Sequence, residues 1–273
     1  MPGKTNIIDI HQHVNWLGKH DEDLISYMDN AGVDKCWLLS WESVDGGLEQ
    51  GYQHLSISDV YKTFKKYPKR IVPFCGVDPR RRDAEDILET LHKRGFRGYG
   101  ELKFRILADN PDFIRMLRLA GKLKMPSLCH LDVDIPATPQ WYLGDISHFE
   151  RAAKLCPNTA MIGHGPGFWR EISGDAEKVD AIYPTGKVVK GGRLEKVLEA
   201  NKNVFADLSA GSALKALSRD VVYTKKLLTK FRKKIMYGTD YYDTRMLEFL
   251  KSLKLDKGVF SDIIGGNAKR LLP

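Results

Sequence analysis

The sequence lacks the marks of several protein classes. Its four cysteines form no C-x-x-C pair and no regular spacing, which argues against a disulfide framework or a zinc finger and favours buried free thiols. No run approaches the roughly 18 apolar residues that a membrane span needs. The N-terminus shows no charged region followed by an apolar stretch and a cleavage site, so we expect a soluble, cytoplasmic protein without a membrane partner.

The formal net charge of +8 raises the question of a nucleic-acid partner. Lysine and arginine lie mainly in helix-like stretches where they alternate with acids, as in residues 83–94 and 192–202. The densest basic segment, residues 62–70, carries no aromatic side chains at regular intervals for base stacking. We therefore favour a solvated basic surface over a nucleic-acid interface.

Hydrophobic periodicity predicts one long alternation of strands and helices. Eight short runs rich in isoleucine, valine and aromatic residues alternate with amphipathic stretches. Eight such units favour a closed (β/α)8 TIM barrel over an open sheet, and no glycine-rich phosphate turn follows the first run, as it would in many open sheets. We expect the barrel to form a single domain over residues 1–273. Two longer connections, residues 41–57 after strand two and 165–192 after strand six, are predicted loop insertions that contact substrate. The predicted strands are residues 6–13, 33–40, 70–78, 96–103, 126–132, 159–165, 203–209 and 234–240.

A pair of histidines ends the first predicted strand. His11 and His13 are two residues apart, so both side chains point to the same face, which in a barrel is the interior. Two unpaired imidazoles in a packed core would cost several kcal/mol. A bound metal removes that cost, because neutral imidazole is a common metal ligand.

Four further candidate ligands end other predicted strands. Glu101 ends strand four, His130 strand five, His164 strand six and Asp240 strand eight. Each alone has an ordinary structural explanation, such as an ion pair, a core histidine or a helix cap. Together they fall at the one mouth where all barrel strands end. The remaining histidines lie in predicted loops or helices, where we expect surface positions: His20, His54, His92 and His148.

This pattern resembles the amidohydrolase superfamily of metal-dependent hydrolases, with H-x-H on strand one, a carboxylate or lysine on strand four, histidines on strands five and six, and aspartate on strand eight. The segments that carry the resemblance are residues 9–13, 162–165 and 237–241, and it covers nearly the whole chain. Residues 264–271 and 207–211 are similar to the subfamily that joins hydrolases and lactonases with non-oxidative decarboxylases.

The resemblance implies a metal held by His11, His13, Glu101, His130, His164 and Asp240. We expect Zn2+, with Mn2+ or another divalent metal as the alternative, at one or two ions per chain. Asp240 would also accept the proton of the attacking water, and His164 would polarise the substrate carbonyl or help to move the proton. Lys103 would face the substrate as a cation, although a carbamylated Lys103 bridging two metals is the other option.

The predicted function is hydrolysis of a C–N, ester or lactone bond in a small molecule, which we expect to carry a carboxylate. The main alternative is a metal-dependent non-oxidative decarboxylase of a small aromatic or unsaturated acid, in which Lys103, Arg105 or Arg170 orients the carboxylate. Glu101 favours hydrolysis, because a carboxylate on strand four occurs among the hydrolytic relatives. A TatD-like nuclease and a non-catalytic ligand-binding barrel are lesser alternatives, and homo-oligomer formation stays open.

Overall fold

The computed structural model describes residues 6–42, 44, 54–132, 134–135, 138–139 and 142–272. Eight parallel strands follow one another around a barrel in the order β1-β2-β3-β4-β5-β8-β9-β10. They are β1 (Ile7–Gln12), β2 (Val33–Leu38), β3 (Ile71–Cys75), β4 (Gly98–Leu102), β5 (Ser127–His130), β8 (Met161–His164), β9 (Val204–Asp207) and β10 (Ile235–Met236). A short antiparallel pair, β6 (Asp134–Ile135) and β7 (Thr138–Pro139), lies in the connection after β5.

Helices cover the outside of the barrel, because each strand is followed by an amphipathic stretch that packs its apolar face on the sheet. They are α1 (Asp21–Ala31), α2 (Ile57–Lys66), α3 (Ala84–Lys93), α4 (Pro111–Lys122), α5 (Ile146–Leu155), α6 (Pro166–Trp169), α7 (Arg193–Ala200), α8 (Ala210–Ser218), α9 (Val221–Lys230), α10 (Arg245–Ser252), α11 (Lys257–Ser261) and α12 (Asn267–Leu271). Two 3-10 turns, Arg170–Ile172 and Ala176–Lys178, follow α6, and a π-helical turn, Asp262–Gly266, joins α11 to α12. No described helix is both long and apolar enough to cross a membrane.

Backbone hydrogen bonds join the last strand region to the first. The Ile10 amide donates to the Tyr237 carbonyl at 3.0 Å, and the Asp240 amide donates to the His11 carbonyl at 2.9 Å. These bonds bring the two ends of the chain together at the site of the predicted ligands. The predicted single-domain (β/α)8 barrel is therefore confirmed, and each of its eight predicted strands is present in shorter form.

Two apolar regions hold the barrel together. The barrel interior is filled by side chains such as Ile10, Trp37, Phe74 and Ile162, which are almost completely buried. A larger core lies between the strands and the surrounding helices. All four cysteines are buried and free, as the sequence predicts.

The connections at the C-terminal ends of the strands differ from the prediction in one respect. The insertion after strand six is present and contains α6 and both 3-10 turns. Part of the insertion after strand two, residues 43 and 45–53, lies outside the described residues. A third longer connection, between β5 and α5, was not predicted as an insertion, although the predicted fifth strand ended at residue 132.

Candidate metal centre

Four side-chain atoms converge at the C-terminal mouth of the barrel. His11 and His13 come from the end of β1, Glu101 from β4, and Asp240 from the segment after β10. The His11 Nε2 lies 3.2 Å from the His13 Nε2. The Glu101 Oε2 lies 3.7 Å from the His11 Nε2 and 3.3 Å from the His13 Nε2. The Asp240 Oδ1 lies 3.5 Å and 3.3 Å from the same two nitrogens.

These separations match the spacing of ligands around one metal ion. Ligand atoms at about 2.1 Å from a tetrahedral metal lie about 3.4 Å from one another. The Glu101 Oε2 and Asp240 Oδ1 are both buried, and neither has a hydrogen-bond partner among the described residues. Buried carboxylate oxygens without partners are costly unless a cation neutralises them. His11, His13 and Asp240 therefore fit a divalent metal, and the Glu101 Oε2, within 3.7 Å of both histidine nitrogens, is placed to join them.

Hydrogen bonds on the far side of each imidazole fix which nitrogen faces this centre. The His13 Nδ1 donates to the Leu39 carbonyl at 2.9 Å, and the His11 Nδ1 donates to the Asp207 Oδ2 at 2.7 Å. In neutral rings, both Nε2 atoms then carry lone pairs that point toward each other. Two lone pairs 3.2 Å apart repel unless a positive ion lies between them.

The local charges also favour a cation here. Burial lowers the pKa of His11, but the Asp240 and Asp207 carboxylates outweigh it and hold that pKa well above its usual value. For Glu101, burial raises the pKa, yet His130, His11 and His13 hold it well below its ordinary range. The cluster thus stabilises both ionised carboxylates and a positive charge between them.

A second group of atoms lies on the other side of Glu101. The Glu101 Oε1 is 2.5 Å from the His130 Nδ1 and 3.8 Å from the His164 Nε2. Glu101, His130 and His164 form a possible metal-binding group. The 2.5 Å separation fits a shared proton better than two ligands of one ion, which lie about 3 Å or more apart. His130 is therefore hydrogen-bonded to Glu101 in this arrangement, whereas the His164 Nε2 is buried without a hydrogen-bond partner among the described residues, so His164 stays a candidate ligand.

Asp207 contacts the predicted ligands, and the sequence analysis gave it no role. It is fully buried, and its Oδ2 accepts hydrogen bonds from the His11 Nδ1 and, at 2.6 Å, from the Ser209 hydroxyl. The Ser209 Oγ in turn lies 2.9 Å from the His164 Nδ1. Burial raises the pKa of Asp207, but His11 outweighs this effect and holds it far below its usual value. One carboxylate thus orients two of the predicted ligands.

Gly238 allows β9 and the segment after β10 to approach His11 closely. A Cβ atom at this position would lie 2.6 Å from the Asp207 Oδ1 and 3.2 Å from the His11 Cβ. Any side chain would push these groups apart. The Gly238-Thr239-Asp240 sequence therefore serves the packing of the site as well as supplying Asp240.

Aromatic side chains surround the mouth. The Trp41 and Trp16 rings lie 4.8 Å and 5.2 Å from the His13 ring, between centroids, and Trp16 stacks on Tyr241 at 5.4 Å. The Lys103 Nζ lies over the Trp41 ring at 4.9 Å and over the Tyr142 ring at 5.2 Å. The cation is therefore held at the mouth between two aromatic faces.

Two other basic residues named from the sequence lie in different surroundings. Arg105 is exposed. Arg170 is buried, and its guanidinium donates to the carbonyls of Ala176 and Val179. This arrangement gives Arg170 a structural role within the insertion after strand six.

Asp132 is a further residue that the sequence analysis missed. It is buried, and its Oδ2 lies 3.4 Å from the His130 Nε2. The other histidines take no part in the described metal-binding groups. His20 and His54 are exposed as predicted, but His92 and His148 are half-buried rather than at the surface.

A family model described as Amidohydrolase matches residues 8–273. The chain belongs to the amidohydrolase family. This confirms the resemblance predicted from the six strand-end residues. No curated protein sequence matches this amidohydrolase.

Solved structures with the same fold include hydrolases and decarboxylases. A probable 2-pyrone-4,6-dicarboxylic acid hydrolase of Acinetobacter baumannii, with citric acid bound, is 15% identical, with 97% of this chain and 98% of that one covered and a TM-score of 0.64. A dihydroxybenzoic acid decarboxylase of Polaromonas, with manganese and the inhibitor 2-nitroresorcinol, is 15% identical, with 97% and 96% covered and a TM-score of 0.59. An uncharacterised TIM-barrel protein of Bordetella bronchiseptica is 15% identical, with 98% of each chain covered and a TM-score of 0.71. At these identities the likeness concerns the fold.

Proposed function

We propose that this amidohydrolase is a metal-dependent hydrolase that cleaves a C–N, ester or lactone bond in a small carboxylate-bearing molecule. The observation that carries the proposal is the position of Glu101. Its buried Oε2 faces His11 and His13 without a hydrogen-bond partner among the described residues. Glu101 thus acts as a ligand on the fourth barrel strand, the pattern that the resemblance associates with hydrolytic members of the superfamily.

His11, His13, Glu101 and Asp240 would hold the first metal, and Zn2+ suits their two nitrogen and two oxygen donors. A bound divalent metal supplies a Lewis acid and lowers the pKa of water from about 15.7 toward 7. His130 and His164, with the Glu101 Oε1, would form a second position if the His130 Nδ1 moves away from that oxygen. Manganese in the Polaromonas decarboxylase makes Mn2+ the main alternative metal.

Asp240 is the group best placed to move a proton. Its side chain is 12% exposed, so it lies at the boundary between the buried donors and the open mouth. Its carboxylate would take a proton from the attacking water and return it to the leaving group. Because the His164 Nδ1 donates to Ser209, its Nε2 is an acceptor. This suits a metal ligand or a proton acceptor better than the carbonyl-polarising donor expected from the sequence.

The mouth favours a planar substrate with a negative charge. Trp16, Trp41 and Tyr241 offer flat apolar surfaces, and Lys103 presents an ammonium group between Trp41 and Tyr142. The Acinetobacter hydrolase has citric acid bound, which supports a carboxylate-bearing substrate here. Lys103 is therefore proposed as the cation that orients a substrate carboxylate, rather than as a carbamylated bridge.

The same features keep decarboxylation as a second candidate. The Polaromonas enzyme, which shares the fold, acts on a dihydroxybenzoic acid, and an aromatic mouth with one cation suits such an acid. Decarboxylation, however, also requires a proton donor above a substrate carbon. Hydrolysis requires a base for the attacking water and a proton for the leaving group, and Asp240 is placed to serve in both roles.

Isotope labelling in water separates the two reactions. Metal-replete enzyme is incubated in 18O-labelled water with lactones, N-acyl amino acids, phosphoesters and hydroxybenzoates, and the products are followed by mass spectrometry. We expect 18O in one cleaved product, and loss of the activity in Asp240→Asn but not in Glu89→Gln, an exposed carboxylate on α3. Release of CO2 from a panel acid, with no 18O in the organic product and no hydrolysis elsewhere, would overturn the proposal.

Metal content is a separate test. Protein purified without chelator should carry about one to two equivalents of zinc or a similar transition metal per chain, by elemental analysis. Less than about a tenth of an equivalent, with no uptake of added Zn2+ or Mn2+, would contradict a metal centre.

A further inference from the structure

A second cavity lies at the opposite end of the barrel from the candidate metal centre. It has a volume of about 730 Å³, which is within the roughly 300–1,000 Å³ range of sites for small organic ligands. Its lining includes Ile8 near the start of β1, while His13 follows the end of the same strand. At about 3.3 Å per residue, the two ends are roughly 16 Å apart. The cavity is therefore distinct from the candidate metal centre.

The floor of this cavity is apolar. It is formed by side chains from β1, β2 and β3, by the last residue of α12 and by the residue that follows it, namely Ile8, Trp37, Val72, Leu271 and Leu272. Ile8 and Trp37 belong to the packed barrel interior, and the other three pack against it while remaining partly accessible. The open end of the barrel thus presents an apolar surface that is large enough for a flat or hydrophobic group.

Five cations line the same cavity. Lys35, Lys69, Arg97, Lys124 and Lys269 come from five different parts of the chain, and all five are exposed. The lining includes a single carboxylate, Asp34, whose Oδ2 accepts a hydrogen bond from the Ile7 amide at 2.9 Å.

These five cations share one cavity without an acidic partner among the described residues. Elsewhere, basic residues such as Lys66, Arg70 and Arg232 have acidic partners within 3.0 Å. None of the five has an ion pair with any residue that the structure describes. Like charges around one apolar cavity repel one another and weaken the fold slightly. Packing of the barrel does not require this arrangement, whereas binding of an anion does.

We propose that this cavity binds an organic polyanion: a phosphate-rich molecule with a flat or apolar body, of the nucleotide type. The cations would contact the phosphates, and the apolar floor would contact the body of the ligand. The alternative is a diffuse basic surface that attracts any anion. A specific site and a diffuse basic surface can be told apart by affinity. Only a specific site gains affinity from both the phosphates and the apolar body of the ligand.

The experiment compares a whole ligand with its two halves. Binding of ATP, of adenosine and of inorganic tripolyphosphate is measured by calorimetry at about 0.15 M salt, where exposed charges are screened beyond roughly 8 Å. We expect ATP to bind at least about tenfold more tightly than either half, since both contribute to one site. Because ATP also chelates metals, the titration is repeated after chelator treatment, and the affinity should persist.

A matched pair of charge reversals locates the site. Lys69→Glu with Arg97→Glu should weaken ATP binding at least about tenfold, whereas Lys225→Glu with Lys226→Glu on α9 changes the net charge equally and should alter it less than about twofold. All four positions are exposed, so the variants should fold, as circular dichroism would check. Equal weakening by both pairs, tripolyphosphate binding as tightly as ATP, or no ATP binding at millimolar concentration would each overturn the proposal.

Discussion

Asp207 offers the sharpest test of how the barrel prepares the candidate metal centre. Its Oδ2 accepts a 2.7 Å hydrogen bond from the His11 Nδ1, which leaves the His11 Nε2 free to bind a metal. Replacing Asp207 with asparagine keeps an acceptor but removes the charge. Hydrogen bonds to charged groups contribute about 1.5–3 kcal/mol, against about 0.5–1.5 for neutral ones. The expected loss of roughly 1.4 kcal/mol corresponds to about tenfold weaker metal binding.

Asp207→Ala should have a larger effect. It removes the acceptor, so His11 is free to place its proton on Nε2, the atom that faces the centre. Loss of a residue that orients a ligand typically weakens metal binding by about 10–100-fold, and we expect the upper end of this range. Metal affinity should therefore fall in the order wild type, Asp207→Asn, Asp207→Ala. This order tests the orientation of His11 rather than the mere presence of a polar group.

The assay is competition for Zn2+ against a chelator of known affinity. Asp262→Asn is the matched control, because Asp262 is also a buried carboxylate with basic partners but lies near α12, away from the mouth. Thermal unfolding of the metal-free variants separates a change of affinity from a loss of folded protein. If both Asp207 variants stay folded and bind Zn2+ within about twofold of wild type, the argument for Asp207 is wrong.

Three further predictions concern other parts of the molecule. The His11→Ala variant should lose most of its metal, as measured by elemental analysis, whereas Asp240→Asn should keep part of the metal but lose turnover. Equal metal loss in both variants would mean that Asp240 is mainly a ligand. Lys103→Met should raise KM for a carboxylate-bearing substrate about tenfold or more, with a smaller change in kcat, and an unchanged KM would remove its proposed role. Asp262→Asn should lower the free energy of unfolding in urea by about 1–2 kcal/mol at pH 7. Asp262 has a lowered pKa because Lys233, Arg232 and Arg270 outweigh its burial. This stabilisation is therefore present above the unfolded pKa of about 3.9 and is lost as the pH falls through the folded value. A difference between the two proteins that does not shrink as the pH falls below about 3.9 would refute the charge-based explanation.

The barrel and the position of its mouth could be predicted from the sequence, because both depend on local patterns. The period of hydrophobic residues identifies strands, and parallel strands place their C-terminal ends together. His11, Glu101 and Asp240 were found because each follows an apolar run. Asp207 follows such a run as well, but a lone aspartate there has no distinguishing spacing. Its role depends on a contact with a residue 196 positions away.

The surroundings of the site were harder to predict for the same reason. Whether a given Trp or Tyr lines the mouth depends on loop geometry, and Tyr142 lies in a connection after β5 that the sequence analysis did not single out as an insertion. The cavity at the opposite end was missed because its cations come from five separate segments. Taken alone, each of these residues looks like an ordinary surface charge, and only the fold brings the five together.

Metal binding and closure of the barrel are linked through the same few residues. His11 and His13 lie at the end of the first strand, and Asp240 follows the last, so the four-atom site exists only once the two ends of the sheet have met. The Asp240 amide bond to the His11 carbonyl closes the barrel at the very residues that face the metal. Since the unfolded chain cannot assemble these donors, the free energy of metal binding adds to the free energy of folding. The bond between His11 and Asp207 extends this link to β9, and Glu101 extends it across the mouth to β4, so metal should stabilise the C-terminal mouth of the barrel on both sides.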